Sequence, residues 1–308
     1  MTEKPKLLII LSYPKSGSTV LGELIGNEVN EFLHIGEMER LWYSTEHKKS
    51  LYPLKDCSCG ERLKSCSFWK PYLNKIVEKI EEINKTQNLN LDNGSFLNFR
   101  EEFLTKNKLS GKEVEIYTDI INTIYKTVST VEQKIILDSS KELWYAKYLE
   151  STELFDISYI HLVRDLERVV YSRQKKLKKY NSKTGKISLS YKYMIYDIFK
   201  WNLINYKIYR FLSDKKSMFV HHADIVKSPQ DILKKVAKLY NIDLILPKQL
   251  IENREFYINE NHLIHGNRFR KQRGLIQLKM DNRPLTELTY NQKKILKFCT
   301  IFKFPELK

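Results

Sequence analysis

The sequence predicts an α/β protein, with a central, mostly parallel sheet flanked by helices. Short apolar runs recur at Leu7–Leu11, Ile135–Leu137 and Ile157–Val163. They are continuous rather than alternating, as strands buried on both faces are. After each comes a polar turn, and then apolar residues at helical spacing, the alternation that builds parallel sheets. At 308 residues the chain can bury a large core. It reads as a single domain over 1–308 with a mainly helical insertion at about 70–131.

The first strand runs into Ser12-Tyr13-Pro14-Lys15-Ser16-Gly17-Ser18-Thr19, after which Val20, Leu21, Leu24 and Ile25 give a helix its apolar face. At a strand-to-helix junction the first helical N–H groups have no partner, and the dipole turns positive charge toward the turn. An anion held there would meet the Lys15 ammonium and the hydroxyls of Ser16, Ser18 and Thr19, while Gly17 admits a close backbone approach. The turn therefore reads as a phosphate cradle. It is not a Walker loop, which needs G-x-x-x-x-G-K-[ST], because Lys15 precedes the turn's only glycine.

Tyr13–Thr19 resembles the 5′-phosphosulfate loop of sulfotransferases that use 3′-phosphoadenosine 5′-phosphosulfate (PAPS), and further segments extend the resemblance. Gly36-Glu37-Met38-Glu39-Arg40 resembles the G-E-x-x-R segment that supplies the catalytic base in the tyrosylprotein type. Met38 interrupts the adjacent glutamates of that pattern, so Glu37 is the preferred base, Glu39 the second and His34 the third. Asp138-Ser139-Ser140-Lys141 closes the second strand and resembles a bacterial sulfotransferase motif. There Lys141, opening a helix, would stabilise the transferring sulfonyl group. Arg164 at the third strand's end and Ser172 on the next helix match the R-x(7)-S element that binds the 3′-phosphate, with Leu166 where the family has proline. His262–Arg270 resembles the late H-x-x-x-G-N-x-x-R segment, which assigns Gly266, Asn267, Arg268 and Arg270 to the nucleotide.

The resemblance implies a P-loop-NTPase-like three-layer sandwich with PAPS as donor, 3′,5′-ADP as product and no metal requirement. Its catalytic residues would be Glu37 as base, with Lys15 and Lys141 offsetting developing charge. The acceptor would be a small molecule or glycan, a carbohydrate or other alcohol hydroxyl.

Lys and Arg exceed Asp and Glu by 53 to 37, a net charge of +16, which attracts anions. A donor nucleotide accounts for part of this and solvated helix faces for much of the rest. A nucleic-acid-binding protein using the basic run Lys175–Lys179 is the lesser alternative, and an inactive nucleotide-binding protein is another, against which Glu37 and Lys141 argue. Cys57, Cys59 and Cys66 invite a zinc reading, but a structural site wants four ligands, so Cys299 or a distant histidine would have to complete it. A similar C-x-C-G…C-x-F-W segment occurs in bacterial sulfotransferases as a structural feature, and no metal ligand is assigned.

The remaining pattern is structural. Helical faces fall at Ile76, Ile80 and Ile83, at Val114, Tyr117, Ile121, Ile124 and Val128, and at Met194, Ile198, Trp201, Ile208 and Leu212. Ser217–His221 reads as a fourth strand, with His221 and His222 as its end rather than as ligands. Ser228-Pro229-Gln230-Asp231 reads as a helix start and the tail from Leu285 as a terminal helix. The first apolar run is too short for a signal peptide, and no stretch reaches bilayer length, so the expectation is a cytoplasmic protein. Oligomeric state leaves no mark on the sequence.

Overall fold

A computed structural model of the chain describes residues 4–41, 56–92, 95, 98–99, 112–178, 191–281, 285 and 288–301. The elements run β1 (Lys6–Ser12), α1 (Ser18–Glu28), β2 (Phe32–Gly36), α2 (Trp69–Gln87), α3 (Lys112–Glu132), β3 (Ile135–Lys141) and α4 (Leu143–Ser151). They continue with β4 (Asp156–Val163), α5 (Leu166–Lys178), α6 (Tyr191–Phe211), β5 (Ser217–His221), α7 (Asp224–Lys227) and α8 (Pro229–Tyr240). Then come α9 (Lys248–Asn253), β6 (Glu255–Ile258), β7 (Gly274–Gln277) and α10 (Tyr290–Phe298).

The main sheet has the strand order β2-β3-β1-β4-β5, and β6 and β7 form a separate two-stranded sheet. β2 pairs parallel with β3 from Phe32↔Ile135 to Gly36↔Asp138, with an irregularity between His34 and Gly36. β4 pairs parallel with β5 from Tyr159↔Ser217 to Val163↔His221. The predicted α/β class and parallel sheet are what the chain adopts. Leu7–Leu11 and Tyr159–Val163 are almost wholly buried, the polar His161 included, as strands with helices on both faces require.

The chain divides into two compact units, one of Met1–Ile9, Thr19–Ser158 and Phe256–Ile276, the other of Ile10–Ser18, Tyr159–Glu255 and Gln277–Lys308. In the first, α1 buries Leu21, Leu24 and Ile25, and β3 buries Ile136 and Leu137. The helices α2 and α3 are joined by Tyr72 donating to Glu132 at 2.7 Å. Ile76, Ile80, Tyr117, Ile121, Ile124 and Val128 are buried as their spacing predicts, whereas Ile83 and Val114 are half-exposed. In the second unit Tyr13, Val163, Leu166, Val169, Val170, Met194, Trp201, Leu285, Leu288 and Leu296 form one apolar cluster, with Ile198 packed at its edge. The Leu166 that stands in place of proline is thus a core residue. The side chains of Leu177 and of the basic run Lys175–Lys179 lie outside the described residues.

Two boundaries differ from expectation. Lys141 ends β3 and does not open a helix, which begins at Leu143. Its backbone is left-handed (φ 72°), a conformation that continues neither strand nor helix, so the two elements are separated there. Ser228 precedes α8 with Pro229 in the first turn, but its hydroxyl caps no helical N–H. No helix among the described residues is long and apolar enough to cross a membrane.

Candidate active site

Four of the residues that the sequence singles out end or follow a strand of the main sheet. Lys15 follows β1, Glu37 follows β2, Lys141 ends β3 and Arg164 follows β4. In parallel sheets this is the end where ligands collect.

In the unit that contains residues 10–18, the turn after β1 is fixed from within. Ser16, 1% exposed, donates its hydroxyl to the Tyr13 carbonyl at 2.7 Å. Tyr13 in turn donates to Asp197 at 2.9 Å, and Arg173 pairs with the same carboxylate at 2.9 Å while lying over the Tyr13 ring. Lys15 adopts a left-handed backbone (φ 74°), as does Gly17 (φ 97°). A Cβ at Gly17 would stand 2.6 Å from Cδ2 of His222, so glycine is required there for both conformation and space. Arg164 reaches back from β4: its Nη1 donates to the Lys15 carbonyl at 3.0 Å and its Nη2 pairs with Asp281 at 2.9 Å. Trp201 Nε1 donates to the Arg164 carbonyl at 3.1 Å and holds that end of β4 in place. Burial lowers the His222 pKa to about 4, with Arg164 and His221 adding to the effect, so the ring against Gly17 is neutral at pH 7. His221 sits 3.2 Å from Asp165 and holds that carboxyl below its ordinary range. Ser172 lies on α5, half-buried.

In the unit that begins α1 at Thr19, a second cluster surrounds Glu37. Gly36 adopts φ 86° where the β2–β3 register is irregular, and a Cβ there would lie 2.9 Å from both Ile264 N and the His265 carbonyl. The chain therefore leaves β2 along a path open only to glycine. Glu37 is 5% exposed. One carboxylate oxygen is ion-paired with Lys141, and the other lies 3.0 Å from His265 Nδ1. Burial alone would raise this carboxyl, but the His265 hydrogen bond and the Lys141 charge outweigh it and hold the pKa at about 2. At neutral pH Glu37 is a carboxylate.

The same cluster separates the three candidate bases. Glu39 pairs with Arg40 at 2.8 Å, and Arg40 also reaches Glu142 at 3.4 Å. His34 lies under α1, 3.0 Å from Ser139 Oγ and 3.5 Å from the Glu23 carboxylate. Only Glu37 of the three faces Lys141 among the described contacts. Asp138 is fully buried and accepts from the Ser140 hydroxyl, the Ser140 N–H and the Tyr125 hydroxyl, which ties down the strand that carries Lys141.

The late segment packs against this cluster. Gly266 lies beside Thr19, and the Asn267 N–H reaches the Thr19 hydroxyl at 3.4 Å. Asn267 caps the short 3₁₀ turn after it, accepting from Phe269 N at 2.7 Å. Arg270 Nη1 donates to the carbonyls of Asp56, Leu263 and Ile264 at 3.0–3.2 Å, so this guanidinium clamps the turn. Arg268 is exposed.

Sequence reasoning missed His265, His222 and Asp281. His265 stands one residue before Gly266 in a segment already singled out, but nothing in the sequence tells which of its two histidines faces Glu37. His222 was read as a strand end, and Asp281 lies in no motif.

The fold is α/β, with a serine-rich turn after β1 in one unit and, in the other, a carboxylate held between a lysine and a histidine. No family model matches the chain, and no curated protein matches it. Among solved structures it is similar to the sulfotransferase domain from the curacin biosynthetic pathway, at 19% identity and TM-score 0.47 over 99% of this chain and 100% of that one. It is also similar to the sulfotransferase domain of the Synechococcus PCC 7002 olefin synthase, at 16% identity and TM-score 0.43 over 99% and 98%. A third is sulfotransferase STF9 from Mycobacterium avium, at 12% identity and TM-score 0.45 over 79% of this chain and 66% of that one.

Proposed function

We propose that the protein is a sulfotransferase that carries the sulfonyl group of PAPS to an acceptor hydroxyl, a carbohydrate or other alcohol. The observation that carries this reading is the hydrogen bond from Arg164 to the Lys15 carbonyl. It fastens a guanidinium at the end of β4 to the anion turn at the end of β1, 149 residues earlier, as a site for two phosphates of one nucleotide needs. The partner on Arg164's other nitrogen is the Asp281 carboxylate, an anion with the same two-oxygen fork that a phosphate offers. A 3′-phosphate would replace it.

The displacement is in line, by analogy with phosphoryl transfer. The acceptor oxygen forms its bond to sulfur while Glu37 takes its proton. The bond from sulfur to the 5′-phosphate oxygen breaks, and its electron pair leaves with 3′,5′-ADP. Lys15, the hydroxyls of Ser18 and Thr19, that of Ser16 once it turns from the Tyr13 carbonyl, and the start of α1 neutralise the 5′-side charge. Lys141 neutralises charge on the sulfonyl oxygens, and these cations do what a metal does in kinases. Arg164 and Ser172 hold the 3′-phosphate, with Gly266, Asn267, Arg268 and Arg270 in the segment that closes over it. A carboxylate held at about 2 is a weak base at neutral pH, since proton transfer is best near the working pH. When Lys141 turns from Glu37 to the sulfonyl group, its share of that constraint is lifted while the His265 hydrogen bond remains, and the carboxylate becomes a stronger base.

The test is thermal stabilisation by 3′,5′-ADP, compared with 5′-AMP and with ATP plus magnesium, for the native chain and Arg164→Ala. A ligand that binds only the folded state at 100 times its Kd adds about 2.7 kcal/mol of stability. The expected result is a shift for 3′,5′-ADP that 5′-AMP does not match and that Arg164→Ala removes. A larger shift with ATP and magnesium, or none with any nucleotide, overturns the reading.

A further inference from the structure

The three clustered cysteines lack a fourth partner in sequence, and the fold supplies one. Cys57, Cys59 and Cys66 lie on the loop after residue 55, and His262 comes from the segment between β6 and β7. One donor atom from each of the four lies within 4.8 Å of all the others. Cys66 Sγ is 3.3 Å and Cys57 Sγ 3.7 Å from His262 Nδ1, and Cys59 Sγ is 3.8 Å from Cys66 Sγ. A tetrahedral zinc with Zn–S of about 2.3 Å and Zn–N of about 2.0–2.1 Å spans S–S edges of about 3.8 Å and S–N edges of about 3.6 Å. The three separations given, 3.3–3.8 Å, lie within a few tenths of an ångström of those edges. They are far from the roughly 2.05 Å of a disulfide, and all four cysteines of the chain are free thiols. We propose that Cys57, Cys59, Cys66 and His262 bind one zinc ion in a closed structural site.

The surroundings are those of a metal site rather than of cysteines filling a core. Cys57 and Cys66 are fully buried. Gly60 (φ 104°) closes the tight turn that presents Cys57 and Cys59, with its N–H on the Cys57 carbonyl at 3.1 Å. The His262 ring stacks on Phe68 at 5.1 Å and 3°, and Trp69 Nε1 donates to the His262 carbonyl, which together fix the plane of the imidazole. Three thiolates and one histidine with no open position is a ligand set of structural, not catalytic, zinc.

The loop also has need of a metal. Between residues 56 and 66 it has one isolated bridge, Asp56↔Arg62, and no regular element. Zinc would staple it to a segment three residues short of His265, the partner of Glu37. The proposal does not depend on which group the enzyme transfers.

Protein expressed with added zinc and purified without chelator should carry one zinc per chain by elemental analysis, and Cys59→Ser and His262→Ala should lose it. Because either variant could misfold, the native chain is also stripped under reducing conditions and reloaded with Co²⁺. One equivalent should give the thiolate-to-cobalt charge-transfer band and the visible bands of tetrahedral cobalt. Stripping should lower Tm, and Zn²⁺ should restore it. Substoichiometric zinc with no saturable cobalt spectrum overturns the proposal, as does full zinc content retained in both variants.

Discussion

At the scale of single residues, Glu37 is distinguished by its two partners. Its carboxylate is ionised, with one oxygen on Lys141 and the other on His265, and the proposed mechanism makes it the proton acceptor. Glu37→Gln keeps the size and the hydrogen-bonding ability and removes the basicity. The expected outcome is a fall in kcat of about 10²–10⁴, with the stabilisation by 3′,5′-ADP unchanged. Steady-state turnover with PAPS measured beside the thermal shift separates the two, and full turnover in the variant removes Glu37 from the base role. Sequence made Glu37 legible because a glutamate after Gly36 in a short turn is a local pattern. His265 was not legible as its partner, because the bond joins residues 228 positions apart and depends on how the late segment folds back.

At the scale of elements, the late segment is held by side chains that donate to its carbonyls, Arg270 and Arg273 among them. Arg270 Nη1 serves three carbonyl oxygens, on Asp56, Leu263 and Ile264, and Ser58 adds a hydroxyl that donates to the Asn261 carbonyl and accepts from the Leu263 N–H. Removing the guanidinium leaves those carbonyls short of a donor, which costs about 1–3 kcal/mol. Arg270→Ala should therefore lower Tm and speed amide exchange of Ile264 and Arg270, while Arg268→Ala should leave Tm unchanged and weaken 3′,5′-ADP binding. Equal effects of the two variants on Tm would show that Arg270 does not hold the turn. Both arginines look alike in the sequence, since burial and not composition separates them. The strands were legible for the opposite reason, as a fully buried parallel strand leaves a continuous apolar run. The end of β3 was not, because a left-handed lysine looks like any other lysine in sequence.

At the scale of the whole molecule, a net charge of +16 and the lowered pKa values of His161 and His222 shape the response to acid. His161 is 3% exposed and lies 3.1 Å from Asn205 Oδ1. Burial lowers its pKa from 6.5 to about 4, with the Asn205 bond opposing, and His222 is likewise held at about 4. Between these values the unfolded chain binds a proton that the folded chain refuses, so stability falls as pH drops from about 6.5 to about 4. For the buried His161 the loss across that window is about 3 kcal/mol at roughly 1.4 kcal/mol per unit. Glu37 acts in a second, lower window. Its lowered pKa contributes stability that is present above about 4.5 and lost as pH falls through about 2. Thermal unfolding followed from pH 7.5 to 4.5 should thus show Tm declining already below pH 6.5, as the two imidazoles take up protons in the unfolded chain. Self-repulsion of a chain this basic would also lower Tm in acid, but salt screens exposed charge far more than a buried imidazole. A decline that survives added salt and flattens in His161→Gln belongs to the buried ring. A decline that salt abolishes belongs to the surface charge, and a flat profile down to pH 4.5 would mean that His161 accepts its proton in the folded chain.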